Sequence, residues 1–135
     1  MNIRKWILSA LASSVVMWAL AGIWHKLAIP LFSRAEDNVK HEGTAIIALA
    51  YLILAVLMAY VYPKGYQGGK PSWEGLKFGV LMGILWVFPH SLAMAGAHDE
   101  SIAYVFQNAA WHVVEQGIGG IVIALIYGKS ALSGK

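Results

Sequence analysis

The chain has 135 residues, of which 59% are hydrophobic and 13% are charged, with a net charge of +3 and no cysteine. Soluble domains carry about a quarter charged residues, so this composition favours an integral membrane protein. Without cysteine there is no disulfide, thiolate metal site or cysteine nucleophile, and the scattered Lys and Arg residues argue against a nucleic-acid partner.

Apolar segments long enough to cross a membrane occur four times along the chain, at about residues 6–28, 44–62, 75–97 and 102–127. A spanning helix needs about 20 mostly apolar residues. Pro30, Pro63 and Pro71 fall between these segments, whereas Pro89 falls inside the third and predicts a bend there. The sequence therefore predicts an all-α fold in one domain, residues 1–135: an integral membrane four-helix bundle with up-down-up-down topology.

Basic residues divide unevenly between the two ends of this predicted bundle. The end that holds both termini carries Arg4, Lys5, Lys64, Lys70, Lys77, Lys129 and Lys135. The other end carries Lys26, Arg34 and Lys40 together with the acidic residues Glu36, Asp37, Glu42, Asp99 and Glu100. Because basic residues accumulate on the cytoplasmic side of membrane proteins, we expect both termini to be cytoplasmic.

Each predicted span also has one stripe of small, polar or aromatic residues at helical spacing. Such stripes are expected to turn inward, because lipid cannot satisfy polar groups. In chain order the stripes are Ser14, Trp18, Ala21, Gly22 and His25; Thr44, Ala48, Tyr51, Ala55, Met58 and Tyr62; Gly79, Gly83, His90 and Met94; and Asn108, His112, Glu115 and Gly119.

Small residues recur every four positions in the last two spans. This spacing permits close approach of membrane helices. It is found at Gly75, Gly79 and Gly83 in the third span and at Gly120, Ala124 and Gly128 in the fourth.

All five histidines fall in the half of the bundle that we expect to be extracytoplasmic: His25, His41, His90, His98 and His112. At about 1.5 Å of rise per residue, His90 and His112 lie at a similar depth. Glu115 is the only acidic residue inside a predicted span, where a carboxylate is costly. The candidate ligand-binding residues are therefore His90, His112 and Glu115, supported by His25 and Asn108.

Two stretches resemble a family of small bacterial four-span membrane proteins of unknown function. QNAAWHVVEQGIGGIVIALIYG, residues 107–128, is similar to the last helix of that family, which an Asn-Ala-small-aromatic-His run opens. GIWHKLAIPLF, residues 22–32, is similar to the end of its first helix. The resemblance implies a four-span bundle in a bacterial inner membrane, with an Asn–His pair at Asn108 and His112. Glu115 and Gln116 depart from the pattern.

Several functions remain open at this point. The first is a non-catalytic accessory or assembly protein, in a homo-oligomer or larger membrane complex, whose Glu115 is satisfied by Trp18, Tyr51 or His112. The second is binding of a divalent transition metal by His90, His112 and Glu115, or of haem or a pigment by paired histidines. The third is proton-coupled transport. Catalysis is least supported, and no catalytic residue is predicted.

Overall fold

The computed structural model describes residues 2–28, 41–98 and 101–128. They form helices α1 (Ile3–Ile23), α2 (His41–Gly65), α3 (Pro71–His98) and α4 (Ile102–Tyr127), and a π-helical turn, Trp24–Ala28, extends α1. No strand occurs in these ranges. Four helices are long and apolar enough to cross a membrane. This confirms the prediction of four helices that are long and apolar enough to span a membrane.

Some residues used for the predictions lie outside the described ranges. They include Pro30, which was expected between two spans, and part of the evidence for the orientation in the membrane: Arg34, Glu36, Asp37, Lys40, Asp99, Glu100, Lys129 and Lys135.

Local signals explain where three of these helices begin or end. The Asn2 side chain accepts a hydrogen bond from the Lys5 backbone N–H at 3.2 Å and so caps the start of α1. Pro71 opens α3, at a position where its missing N–H is not needed. Gly128 follows α4 with a φ of +63°, and its N–H donates to the Ala124 carbonyl at 2.9 Å.

Pro63 lies inside α2, not between spans as the sequence had indicated. Proline has no N–H to donate to the carbonyl four residues earlier, which here belongs to Ala59. The Tyr127 hydroxyl of α4 donates to that carbonyl at 3.0 Å instead. Since a neighbouring helix supplies the missing donor, α2 continues through Pro63 to Gly65.

The closest packing in the bundle joins α3 to α4. A Cβ atom on Gly79 would collide with the Gln116 carbonyl oxygen, and one on Gly83 would lie 2.9 Å from the Val113 Cα. Gly75 meets the Gly120 carbonyl in the same way. The two backbones therefore touch along this contact, which confirms the role predicted for the small residues.

Helix α1 packs against both α2 and α4, whereas α2 makes few contacts with α3 and α4. Met17 of α1 is fully buried against Gly119, where an added Cβ would lie 2.5 Å from its sulfur. The Trp6 indole N–H donates to the Val56 carbonyl of α2 at 3.1 Å. Helix α1 is thus the main support of α2.

The predicted inward stripe of α2 is correct at Tyr51, Ala55, Met58 and Tyr62, which are buried, and wrong at Thr44, which is exposed, while Ala48 is half-buried. In α1 only part of the stripe turns inward. Ser14 and Ala21 are buried, but Trp18 is 41% exposed and Gly22 is also exposed.

The predicted stripe of α3 is wrong at His90 and Met94, which are both exposed. The buried residues of α3 are Gly75, Gly79, Gly83, Val87 and Ala95. Each step of four residues turns about 40° around a helix of 3.6 residues per turn, so this ridge winds around α3. By the level of His90 the contact has moved to another side of the helix, and the imidazole is left facing outward.

Candidate functional site

Glu115 lies near the middle of α4, and none of its surface is exposed. Its Oε2 accepts a hydrogen bond from the Tyr51 hydroxyl of α2 at 3.0 Å. Of the partners considered for this carboxylate, Tyr51 is therefore the one that donates, while Trp18 faces outward. Because α2 makes few other contacts with α4, this bond is one of the direct links between them.

His112 lies one turn before Glu115 on the same helix, with its Nδ1 at 3.6 Å from the Glu115 Oε1. That separation is longer than a hydrogen bond. The imidazole is 19% exposed, and the Trp86 ring of α3 packs edge-on against it, with centroids 6.3 Å apart. The histidine therefore stands between the enclosed carboxylate and the surface of the bundle.

Gln116 adds a second enclosed polar side chain, with no exposed surface. Its amide lies over Gly83, where an added Cβ would be 3.3 Å from the Gln116 Oε1. Within the described ranges, neither amide atom has a hydrogen-bond partner, and the same holds for the His112 Nδ1 and the Glu115 Oε1. We call Tyr51, His112, Glu115 and Gln116 the polar core.

The chemical capacity of the polar core follows from these atoms. It holds one acid, one imidazole, one phenol and one amide, and so offers both hydrogen-bond donors and acceptors. In a membrane interior each unsatisfied polar group costs several kcal/mol. The His112 Nδ1 and the Glu115 Oε1 lie 3.6 Å apart, so a small movement of either side chain brings the two atoms within hydrogen-bond distance.

The other predicted site residues lie apart from this cluster or at its edge. Asn108 is half-buried one turn before His112, His90 is exposed on α3, and His25 is half-buried in the π-helical turn. Among the residues that the structure describes, no three His, Cys, Asp or Glu side chains are placed to hold a metal ion. The structure thus brings together His112 and Glu115 without a third ligand, and binding of metal or haem stays a prediction.

Sequence reasoning missed an aromatic stack beside the polar core. Trp24 of the π-helical turn and Trp111 of α4 lie parallel, with centroids 4.7 Å apart and planes at 8°. It also gave no specific role to Gln116, although the small residue at Gly83 on the facing helix leaves the space that this side chain fills. Finding either pair requires knowing which faces of the helices meet.

Comparisons with known proteins leave the site to be judged on its chemistry. No protein family model matches the chain, and neither a curated protein nor a solved structure is similar to it. The resemblance to the bacterial four-span family accordingly stays a prediction.

Proposed function

We propose that this chain is a small, non-catalytic integral membrane protein that serves as an accessory or assembly subunit. The observation that carries the proposal is the complete enclosure of Glu115, whose Oε2 accepts from Tyr51 of another helix. A carboxylate with no exposed surface has no face on which to meet a substrate. Its role is to hold α2 against α4 with an interhelical hydrogen bond, as polar groups do in membrane bundles.

Two substitutions test this structural role. Tyr51→Phe removes only the donated hydrogen bond, and we expect it to lower the free energy of unfolding in detergent by about 1–2 kcal/mol. Glu115→Gln keeps an acceptor for Tyr51 and should cost less. The control is Glu74→Gln, which breaks the exposed ion pair with Lys77 and should cost about 0.5 kcal/mol or less. Equal stability of Tyr51→Phe and the control would contradict the proposal.

The outward position of His90 supports association with other membrane helices. Ionisable residues in membrane spans rarely face lipid and usually meet another polar group. His90 is exposed, and so are Trp86 and Met94, the residues four positions before and after it on the same face of α3. In our proposal a second membrane helix, from another copy or from a larger complex, covers this imidazole.

The association is tested by the mass of the purified protein in mild detergent. We expect wild-type protein to run as an oligomer or with a partner, and His90→Leu to shift toward the monomer. His98→Leu, an exposed histidine at the end of α3, is the control. A monomeric wild type would argue against an assembly role.

The proposal includes an up-down-up-down bundle in a bacterial inner membrane, with both termini cytoplasmic and the polar core in the extracytoplasmic half. The basic residues at Lys64, Lys70 and Lys77 support this orientation. Since the chain has no cysteine, a single cysteine introduced at position 70 or 98 is the only site that a maleimide can label, and its labelling shows on which side of the membrane that position lies. A membrane-impermeant maleimide should label His98→Cys in intact cells and Lys70→Cys only after permeabilisation; the reverse pattern would overturn the orientation.

Proton-coupled transport is a second candidate, favoured by one observation. His112 is partly exposed and its Nδ1 is 3.6 Å from the enclosed Glu115, so the imidazole offers a proton a way to the carboxylate. In liposomes with a pH gradient, this function predicts proton-driven flux that Glu115→Gln and His112→Ala abolish while the fold survives. Absence of flux in wild-type liposomes would leave the structural role alone.

A further inference from the structure

A cleft of about 730 Å³ lies at the end of α1, away from the polar core. The last turns of α1, the π-helical turn and the first turns of α2 line it, with Trp18, Gly22 and Ile47 among the apolar residues. Binding sites for small molecules usually have volumes of about 300–1,000 Å³. The cleft is therefore large enough to hold a substantial part of an apolar chain.

Gly22 differs from the glycines of α3 in what surrounds it. A Cβ added to Gly75, Gly79 or Gly83 would collide with α4, whereas one added to Gly22 would meet nothing within 4 Å. The small residue at position 22 is thus not needed for packing between helices. Its effect is to leave the cleft open beside the exposed ring of Trp18.

The cleft lies at the depth of lipid headgroups. The span Ile3–Leu27 has 25 residues. At about 1.5 Å per residue such a span is about 37 Å long, which exceeds a hydrocarbon core of about 30 Å. His25 and Lys26 line the cleft close to the end of this span. Their side chains therefore reach the headgroup layer, while Gly22 and Trp18 lie about one to two turns deeper.

Lys26 is the one charged side chain on the part of the cleft wall that the structure describes. Lys26 and His25 are both lining residues, and no acidic side chain lines the cleft in the part of the chain that the structure describes. Both residues stand at the end of the cleft that is nearer the headgroup layer, and Lys26 is exposed. An anionic group is thus favoured at this end and an apolar chain at the other.

We propose that this cleft binds an anionic phospholipid, with its phosphate at Lys26 and His25 and one acyl chain over Gly22 and Trp18. A cleft that opens into a bilayer is filled by the molecules around it, and these are lipids. The cationic wall selects among them, because a Lys near the surface favours anionic lipid by about fivefold. The site is independent of the polar core and of the function proposed for it.

The test is a lipid titration of the full chain in detergent, followed by native mass spectrometry. The probes are phosphatidylglycerol and phosphatidylcholine with identical acyl chains. We expect tighter binding of phosphatidylglycerol to wild type, and about a fivefold loss of that preference in Lys26→Gln. Gly22→Leu places a side chain where the acyl chain would lie and should abolish tight binding of both lipids.

Matched controls separate this site from general lipid attraction. Lys70→Gln removes an exposed charge from the connection between α2 and α3, and Gly96→Leu adds the same side chain at another exposed glycine with free space around it. Both controls should bind as wild type does. The proposal is overturned if Gly22→Leu retains tight binding, if the two lipids bind equally, or if Lys70→Gln has the same effect as Lys26→Gln.

Discussion

The α3–α4 contact and the attachment of α2 show two ways of holding helices together in lipid. At Gly75, Gly79 and Gly83 the backbone of α3 packs directly on the backbone of α4. Helix α2 meets α4 through side chains that bridge the two helices: Tyr51 donates to Glu115, Tyr127 donates to the Ala59 carbonyl, and the Tyr62 and Tyr127 rings pack together. The first contact requires glycine, which has no side chain, and the second requires the particular side chains that bridge the two helices.

This difference indicates where the bundle is rigid and where it can move. The α3–α4 contact is continuous and has no parts that can open separately. The links of α2 to α4 are few, so breaking one hydrogen bond loosens that attachment locally while α1 still supports α2. We therefore expect substitutions in the two regions to differ in how much they lower the stability of the bundle and in how much of the bundle they affect.

The largest effect is expected from Gly79→Leu. The added side chain meets the backbone of Gln116 and Gly117, which cannot move aside as a flexible side chain would. We expect a loss of about 3 kcal/mol or more in the free energy of unfolding, or no folded protein. Thermal unfolding in detergent measures it, and Gly96→Leu, in open space, is the control. Equal stability of the two variants would show that the helices do not pack on their glycines.

A more local effect is expected from Tyr51→Phe when it is followed by hydrogen exchange. Loss of the bond to Glu115 should raise amide exchange in α2 around residue 51 and leave α3 unchanged, because α2 has few contacts with α3. Exchange measured by mass spectrometry in nanodiscs tests this. If exchange rises equally in all four helices, the bundle opens as one unit and the contrast between the regions is wrong.

Tyr127→Phe sharpens the comparison further, because its effect depends on Pro63. The substitution leaves the Ala59 carbonyl without the hydroxyl that donates to it, at a cost of about 1 kcal/mol. Pro63→Ala supplies a backbone N–H in the right position, so the same substitution in that background should cost clearly less. A double-mutant cycle on unfolding free energies measures the coupling. Zero coupling would mean that the hydroxyl does not substitute for the missing N–H.

The smallest effect is expected from Lys5→Gln. The Lys5 ammonium donates to the Tyr127 carbonyl at the carboxyl end of α4 at 2.6 Å, where a positive charge is favourable. Its loss should cost about 0.3–1 kcal/mol, and less in high salt. Unfolding at two salt concentrations tests this, with Arg4→Gln, an exposed neighbour, as the control.

Sequence periodicity was sufficient for the parts of the molecule that depend on one helix at a time. The apolar lengths predicted four membrane-spanning helices, and the four-residue spacing of Gly75, Gly79 and Gly83 predicted a close contact. The isolated Glu115 was recognised as a buried acid with a short set of partners. These inferences hold because helix length and the face of a residue follow from 3.6 residues per turn.

The tertiary structure decided which faces meet. It chose Tyr51 over Trp18 as the donor to Glu115, turned His90 outward, paired Trp24 with Trp111, and opened a cleft at Gly22. Each of these depends on how the helices cross and how far each is rotated about its axis. Those angles result from the packing of many residues that are distant in sequence. A row of buried residues, such as that from Gly75 to Ala95, also winds around its helix, so it faces different neighbours at different levels.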